Sequence, residues 1–177
     1  MIWTLSRHVR RMLVFVPAAA LLALPATATA AVARPLPAAG STSLTCTLTI
    51  TVAVHPGLTT QLRHVNVSSH GLTGIADCTG TASGQAVTGP GVWGEAGHGV
   101  VNCAGGSGRA NFVLRLPTAS GTRTVSGKYM FSFSGLGAPI VITGDLTGTA
   151  TVVGASGDCF TTPLTRATLM FAVHSTT

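Results

Sequence analysis

Leu44-Thr45-Cys46-Thr47-Leu48-Thr49-Ile50-Thr51-Val52-Ala53-Val54 decides the fold of this chain. Every even position is apolar and every odd position is threonine or alanine. Successive side chains of a strand point to opposite faces, so this spacing predicts a long strand with one face buried and one wet. The β-branched content agrees with that reading. His55-Pro56-Gly57 follows and reads as a turn that ends the strand.

Working outward, the same period returns along the chain. Gln61–Val67 reads as a second strand, and Leu72–Cys78 either continues it or starts a third, with Ser68–Gly71 a bulge or turn between them. Thr81–Val101 is broken up by glycines and resists a face assignment. Asn111–Leu116 points Phe112, Leu114 and Leu116 inward. Pro117–Gly121 reads as a hairpin loop. Thr124–Phe133 gathers Val125, Tyr129, Phe131 and Phe133 on one face. Ile140–Val153 does the same with Ile140, Ile142, Leu146, Ala150 and Val152, and Leu164–Val173 with Leu169, Phe171 and Val173. Beyond the first thirty residues no stretch has a helical period. Many strands joined by short loops predict an all-β domain, an antiparallel sandwich or barrel of about seven to nine strands.

The first thirty residues have a different character. Arg7, His8, Arg10 and Arg11 precede an apolar run, Met12–Leu24, too short for a membrane span, and Ala28-Thr29-Ala30 supplies a small-x-small cleavage site. Residues 1–30 are therefore expected to be a signal peptide, 31–42 a flexible Pro/Ala-rich tail, and 43–177 one β domain. The expected compartment is extracellular, with no transmembrane segment after cleavage. Of ten basic residues three leave with the signal, so seven remain against four acids, a net charge of about +3. Those seven are scattered, which argues against a nucleic-acid partner. The single lysine against nine arginines suggests a GC-rich, bacterial source.

Four cysteines in an exported chain predict two disulfides. If the strand from Leu44 turns and the next segment runs back along it, Cys46 meets Cys78, leaving Cys103 with Cys159. If Ser68–Gly71 is a true reversal, the nested pairing Cys46–Cys159 with Cys78–Cys103 follows instead. No C-x-x-C pair occurs, and His55, His64, His70, His98 and His174 show neither H-x-H nor H-x-x-x-H spacing, so neither a metal nor a cofactor is expected.

Chemistry is sparse. The acids are Asp77, Glu95, Asp145 and Asp158, with Asp77 and Asp158 each beside a cysteine in turn-like context. No G-x-S-x-G elbow marks a nucleophile, and Ser107 and Ser156 read as hairpin-turn serines. Trp93, flanked by Gly91 and Gly94, is expected to lie in or beside a loop, partly accessible, and is the one candidate ligand-binding residue. The chain reads as a secreted, non-catalytic domain that binds an extracellular ligand, partner protein or cell surface. The alternatives are an extracellular hydrolase with a triad assembled from scattered Ser, His and Asp, or an inhibitor or toxin-type protein acting through an exposed loop at Gly89–Gly99.

The run Gly157-Asp158-Cys159-Phe160-Thr161-Thr162-Pro163-Leu164-Thr165 resembles the closing signature of small secreted bacterial β-proteins of unknown function. The placement of Cys46, Cys78 and Asn102-Cys103 is similar to theirs. The resemblance implies secretion and a β-fold and carries no known activity or site residue.

Overall fold

The computed structural model describes residues 40–176, so the expected signal peptide and most of the expected tail lie outside the described residues. Ten strands follow one another: β1 (Ser43–Leu58), β2 (Arg63–Ser68), β3 (Gly74–Ala82), β4 (Gln85–Ala86), β5 (Gly91–Asn102), β6 (Gly105–Thr118), β7 (Gly121–Phe133), β8 (Ile140–Gly144), β9 (Thr147–Ser156) and β10 (Leu164–Thr176). Every pairing is antiparallel. There is no helix among the described residues.

The pairings return on themselves. β5 through β10 pair in sequence order, and β10 then pairs with β1 from Ser43↔Thr176 to Ala53↔Arg166. On its other side β1 meets β3 through Ser43↔Thr81 to Thr49↔Ile75, and β2 through Ala53↔Ser68 to His55↔Asn66. β2 and β3 run in the same direction along β1, and both also pair with β5. They are one rail interrupted at residues 69–73. The ring therefore has eight rails, with β4 an appended hairpin arm on β3. A continuous circuit of ladders is the arrangement of a barrel, and it leaves no long unpaired edge along those rails.

The interrupted rail answers the question left by Ser68–Gly71: the second strand continues after an excursion. The turn expected at His55-Pro56-Gly57 is absent. β1 runs on to Leu58, which pairs with Leu164 after a shift of register. Proline cannot donate to a ladder, so Pro56 sits where the register slips.

The even residues of β1, Leu44 to Val54, are all buried and face the inside of the ring. Phe112, Leu114 and Leu116 of β6, Val125 and Tyr129 of β7, and Phe171 and Val173 of β10 meet them there. Near the Ser43 end the interior is filled by side chains, with Trp93, Leu48, Leu114 and Leu116 wholly shielded from solvent. Trp93 is so tightly enclosed that a Cβ on Gly74, its cross-strand partner, would collide with the indole. The indole N–H donates to the Thr49 carbonyl at 3.3 Å.

Two disulfides tie the ring, Cys46–Cys78 and Cys103–Cys159. The first joins residues directly opposite each other on β1 and β3. The second joins the β5–β6 turn to the β9–β10 loop, which lie on opposite sides of the ring, and so crosses its far end. These are the pairs reached by folding the first strand back on the next segment. Asp158 organises the β9–β10 loop, its carboxylate accepting from the Phe160, Thr161 and Thr162 amides at 2.8–3.0 Å and from the Thr161 hydroxyl. The bond from the Thr161 hydroxyl and those from the Thr162 and Thr161 amides hold its carboxyl well below the usual range.

The bridges close sequence separations of 32 and 56 residues. In the chain-entropy account each contributes about 3–4 kcal/mol, a large share of a typical total of ~5–15 kcal/mol. Paired Cys103→Ser and Cys159→Ser substitutions are expected to lower stability by about 3–4 kcal/mol in denaturant titrations. A loss below ~1 kcal/mol would mean that the bridge constrains little of the unfolded chain.

Candidate functional site

Interior positions toward the Cys103–Cys159 end are not fully filled. A cavity of about 90 Å³ lies there among Val52 and Val54 of β1, Val65 and Val67 of β2, and Ile140 and Ile142 of β8. Leu136 and Ala138 of the β7–β8 loop border it, as do Leu164 and Leu169 of β10. A water needs only ~10–15 Å³ on this measure, so the space holds several heavy atoms. An eight-rail ring is the size at which the interior is either filled by side chains or left with room for one small ligand.

Two polar side chains, Glu95 and Tyr129, border the cavity. Glu95 projects inward from β5, in phase with Trp93 and Val101, and is only 6% exposed. Tyr129 projects inward from β7 and is 4% exposed. The Tyr129 hydroxyl donates to Glu95 Oε2. Oε2 takes this bond, and the carboxylate keeps further acceptor capacity for another donor. Tyr129 stands edge-on to Phe171 at 6.4 Å, and Phe171 edge-on to Trp93 at 4.9 Å. These rings form an aromatic layer between the cavity and the filled core.

The break between β2 and β3 positions Glu95. β2 pairs with β5 as far as Ser68↔Ala96, and β3 resumes at Gly74↔Trp93, which leaves Gly94 and Glu95 without ladder partners on that side. Ser69 takes over. Its amide donates to the Glu95 carbonyl at 3.0 Å, and its hydroxyl accepts from the Glu95 amide at 3.0 Å while donating to the Gly71 carbonyl at 2.7 Å. The excursion crosses so close to β5 that a Cβ on Gly94 would strike the Gly71 carbonyl. His70 and Gly71 take positive φ to make the bend, at 54° and 117°. The glycine at 94 is thus a requirement of the seat that holds Glu95.

Burial in apolar surroundings disfavours the charged form and pushes the Glu95 carboxyl up to about 7, although the bond from Tyr129 pulls the other way. Burial and then the nearby carboxylate raise the Tyr129 phenol, which stays neutral and a donor. Glu95 is therefore a buried group that changes charge near neutral pH.

Trp93 is 0% exposed, on strand β5 and not in a loop, so the accessibility behind its selection as a ligand-binding residue is absent. It does not border the cavity and stands one ring behind it, against Phe171. The reason is phase: Trp93 alternates with Val92 and falls on the inside of the ring, where Gly74 leaves room for it. The Gly89–Gly99 segment, read as a possible exposed loop, is mostly this strand. His64 of β2 and His98 of β5 line one surface groove with Arg109, and His98 accepts from Arg109 Nε at 3.0 Å, all three side chains being exposed. Three or more His, Cys, Asp or Glu side chains do not come together anywhere among the described residues.

Reading the sequence missed Glu95 and Tyr129 as a pair. Tyr129 was legible as an inward residue, but Glu95 lies in the glycine-broken stretch whose faces could not be assigned. The signal was available in Trp93-x-Glu95…Val101, one acid in phase with inward-facing residues.

Fold and site together define a class: a closed antiparallel ring with an apolar interior cavity and one buried carboxylate–phenol pair. Comparison with known protein families, with characterised proteins and with solved structures finds no match to this chain.

The unfolded chain ionises Glu95 near 4.5 and the folded chain near 7. Between these values the native state keeps a proton that the unfolded state releases, so this group's favourable contribution is complete below about 4.5 and is lost as pH rises through about 7. The span corresponds to on the order of 3 kcal/mol. Urea titrations from acid to alkaline pH are expected to show Glu95→Gln becoming the more stable form relative to wild type as pH rises. A constant difference across that range would refute the buried ionisation.

Proposed function

We propose that this chain is a secreted, non-catalytic binding domain that holds one small, predominantly apolar molecule inside the ring. The observation that carries the reading is an ionisable pair left at the border of an otherwise apolar cavity. A buried carboxylate costs stability at neutral pH, and an apolar residue in its place would pack without that cost. Strongly shifted groups in cavities are commonly functional. The cavity supplies apolar contact, and Glu95 with Tyr129 supplies the few polar groups that orient a ligand in such sites.

Secretion rests on the features of residues 1–30. Two disulfides are compatible with an extracellular location, and no helix among the described residues is long and apolar enough to cross a membrane. The bacterial source and the kinship with small secreted β-proteins rest on composition and on the Gly157–Thr165 run alone.

Xenon enters dry apolar cavities and is the simplest probe. One equivalent is expected to bind, seen as a protein-dependent xenon NMR shift, and to perturb Trp93 emission through Phe171. Ala150 borders the cavity and is buried, so Ala150→Leu should fill the space and abolish both signals. Xenon binding that survives Ala150→Leu would place the ligand site elsewhere.

A further inference from the structure

We propose that the ligand is a small tertiary ammonium, an alkyl amine with a single N–H, whose N–H donates to Glu95 Oε1 while its alkyl groups occupy the cavity. This rests on the apolar-cavity reading above and specifies the chemistry that the cavity selects.

Charge comes first. Among the described residues, Glu95 and Tyr129 are the only ionisable side chains bordering the cavity; β1, β2, β8, β9, β10 and the β7–β8 loop contribute apolar ones. His64 of β2, His98 of β5, Arg109 of β6, Lys128 of β7 next to Tyr129, and Arg166 of β10 are all exposed. An anionic ligand would thus meet a carboxylate and no cation. A cationic head offsets the carboxylate and lets it remain ionised while buried.

The rings add to this. Tyr129, Phe131, Phe133 and Phe171 border the same space, and aromatic faces attract cations most strongly where water is excluded. A carboxylate together with several aromatic rings is a combination suited to an alkylammonium and poorly suited to a carboxylate or phosphate.

The count of donors narrows the class. The acceptors on the bordering side chains, the Glu95 carboxylate and the Tyr129 oxygen hydrogen-bonded to it, stand together on one side of the cavity, and the rest of the lining is apolar. The three N–H bonds of a primary ammonium diverge tetrahedrally, so at least one points into the apolar lining unpaired. A tertiary ammonium brings one donor and satisfies it at Oε1. Its short alkyl groups also match a space of about 90 Å³.

The state of Glu95 then governs uptake. The carboxylate form binds the cation. The protonated form must first lose its proton, so affinity falls as pH drops below about 7.

The test uses the oxidised protein and calorimetric titration with trimethylammonium, tert-butanol and isobutyrate, probes of similar size that differ in charge. At pH 8 trimethylammonium is expected to bind at least about tenfold more tightly than tert-butanol, and isobutyrate not to bind. Between pH 8 and pH 5.5 the trimethylammonium affinity should fall about 30-fold, and that of tert-butanol should stay level. Glu95→Gln should abolish the preference for the cation and keep tert-butanol. Should that variant fail to fold, the wild-type comparison at two pH values decides alone. If tert-butanol binds and trimethylammonium does not bind more tightly at pH 8, the ammonium assignment is wrong and the apolar-cavity reading stands. Isobutyrate binding as tightly as trimethylammonium overturns the assignment in the same way. If none of the three binds, both readings fall.

Discussion

The ladder between β1 and β10 is the constraint on which the rest depends. β1 is the longest strand and the most regular in its alternation, and it carries partners along both sides. Its pairing with the last strand turns a meander into a ring. Closure gives every inward side chain the same enclosed space, so the period-two pattern of each rail becomes a single core. It also decides that the space has a limited diameter, which the side chains nearly fill at one end and leave short at the other.

The unfilled end is where stability yields. Small residues and a broken rail, unfavourable in a sheet built only for stability, cluster around Glu95. Gly94 exists without a side chain because the residue 69–73 excursion passes over it, and Ser69 supplies the hydrogen bonds that the missing ladder would have made. The carboxyl is thereby held rigidly inside, against the Tyr129 hydroxyl, in surroundings that resist its charge. The Cys103–Cys159 bridge and the Asp158-ordered loop belong to this same end, so the unfilled part of the interior lies at the end that is tied across the ring.

Reading from residues to structure succeeded where alternation was clean. The inward faces of β1, β6, β7 and β10 followed from Leu44–Val54, Phe112–Leu116, Val125–Phe133 and Leu169–Val173, because a strand's geometry ties spacing directly to face. It failed where side chains were missing or a local signal was overruled. Glycines at 91, 94, 97 and 99 carry no apolar or polar mark, so β5 looked like a loop and Trp93 looked exposed. Pro56-Gly57 carried the chemistry of a turn, yet the pairing of Leu58 with Leu164 drew the chain onward through a shift of register.

The amino-acid sequence by itself determined an all-β, antiparallel, disulfide-linked domain, since periodicity, turn residues and an even cysteine count are local properties. Only the tertiary structure decided that the ladders close into a ring, that β2 and β3 share one rail, and that Glu95 meets Tyr129 beside a cavity. Glu95 and Tyr129 are 34 residues apart, on strands that are not neighbours in the ring. Their encounter follows from closure, which brings residues together across an interior, and no spacing along a chain encodes a distance across the space it encloses.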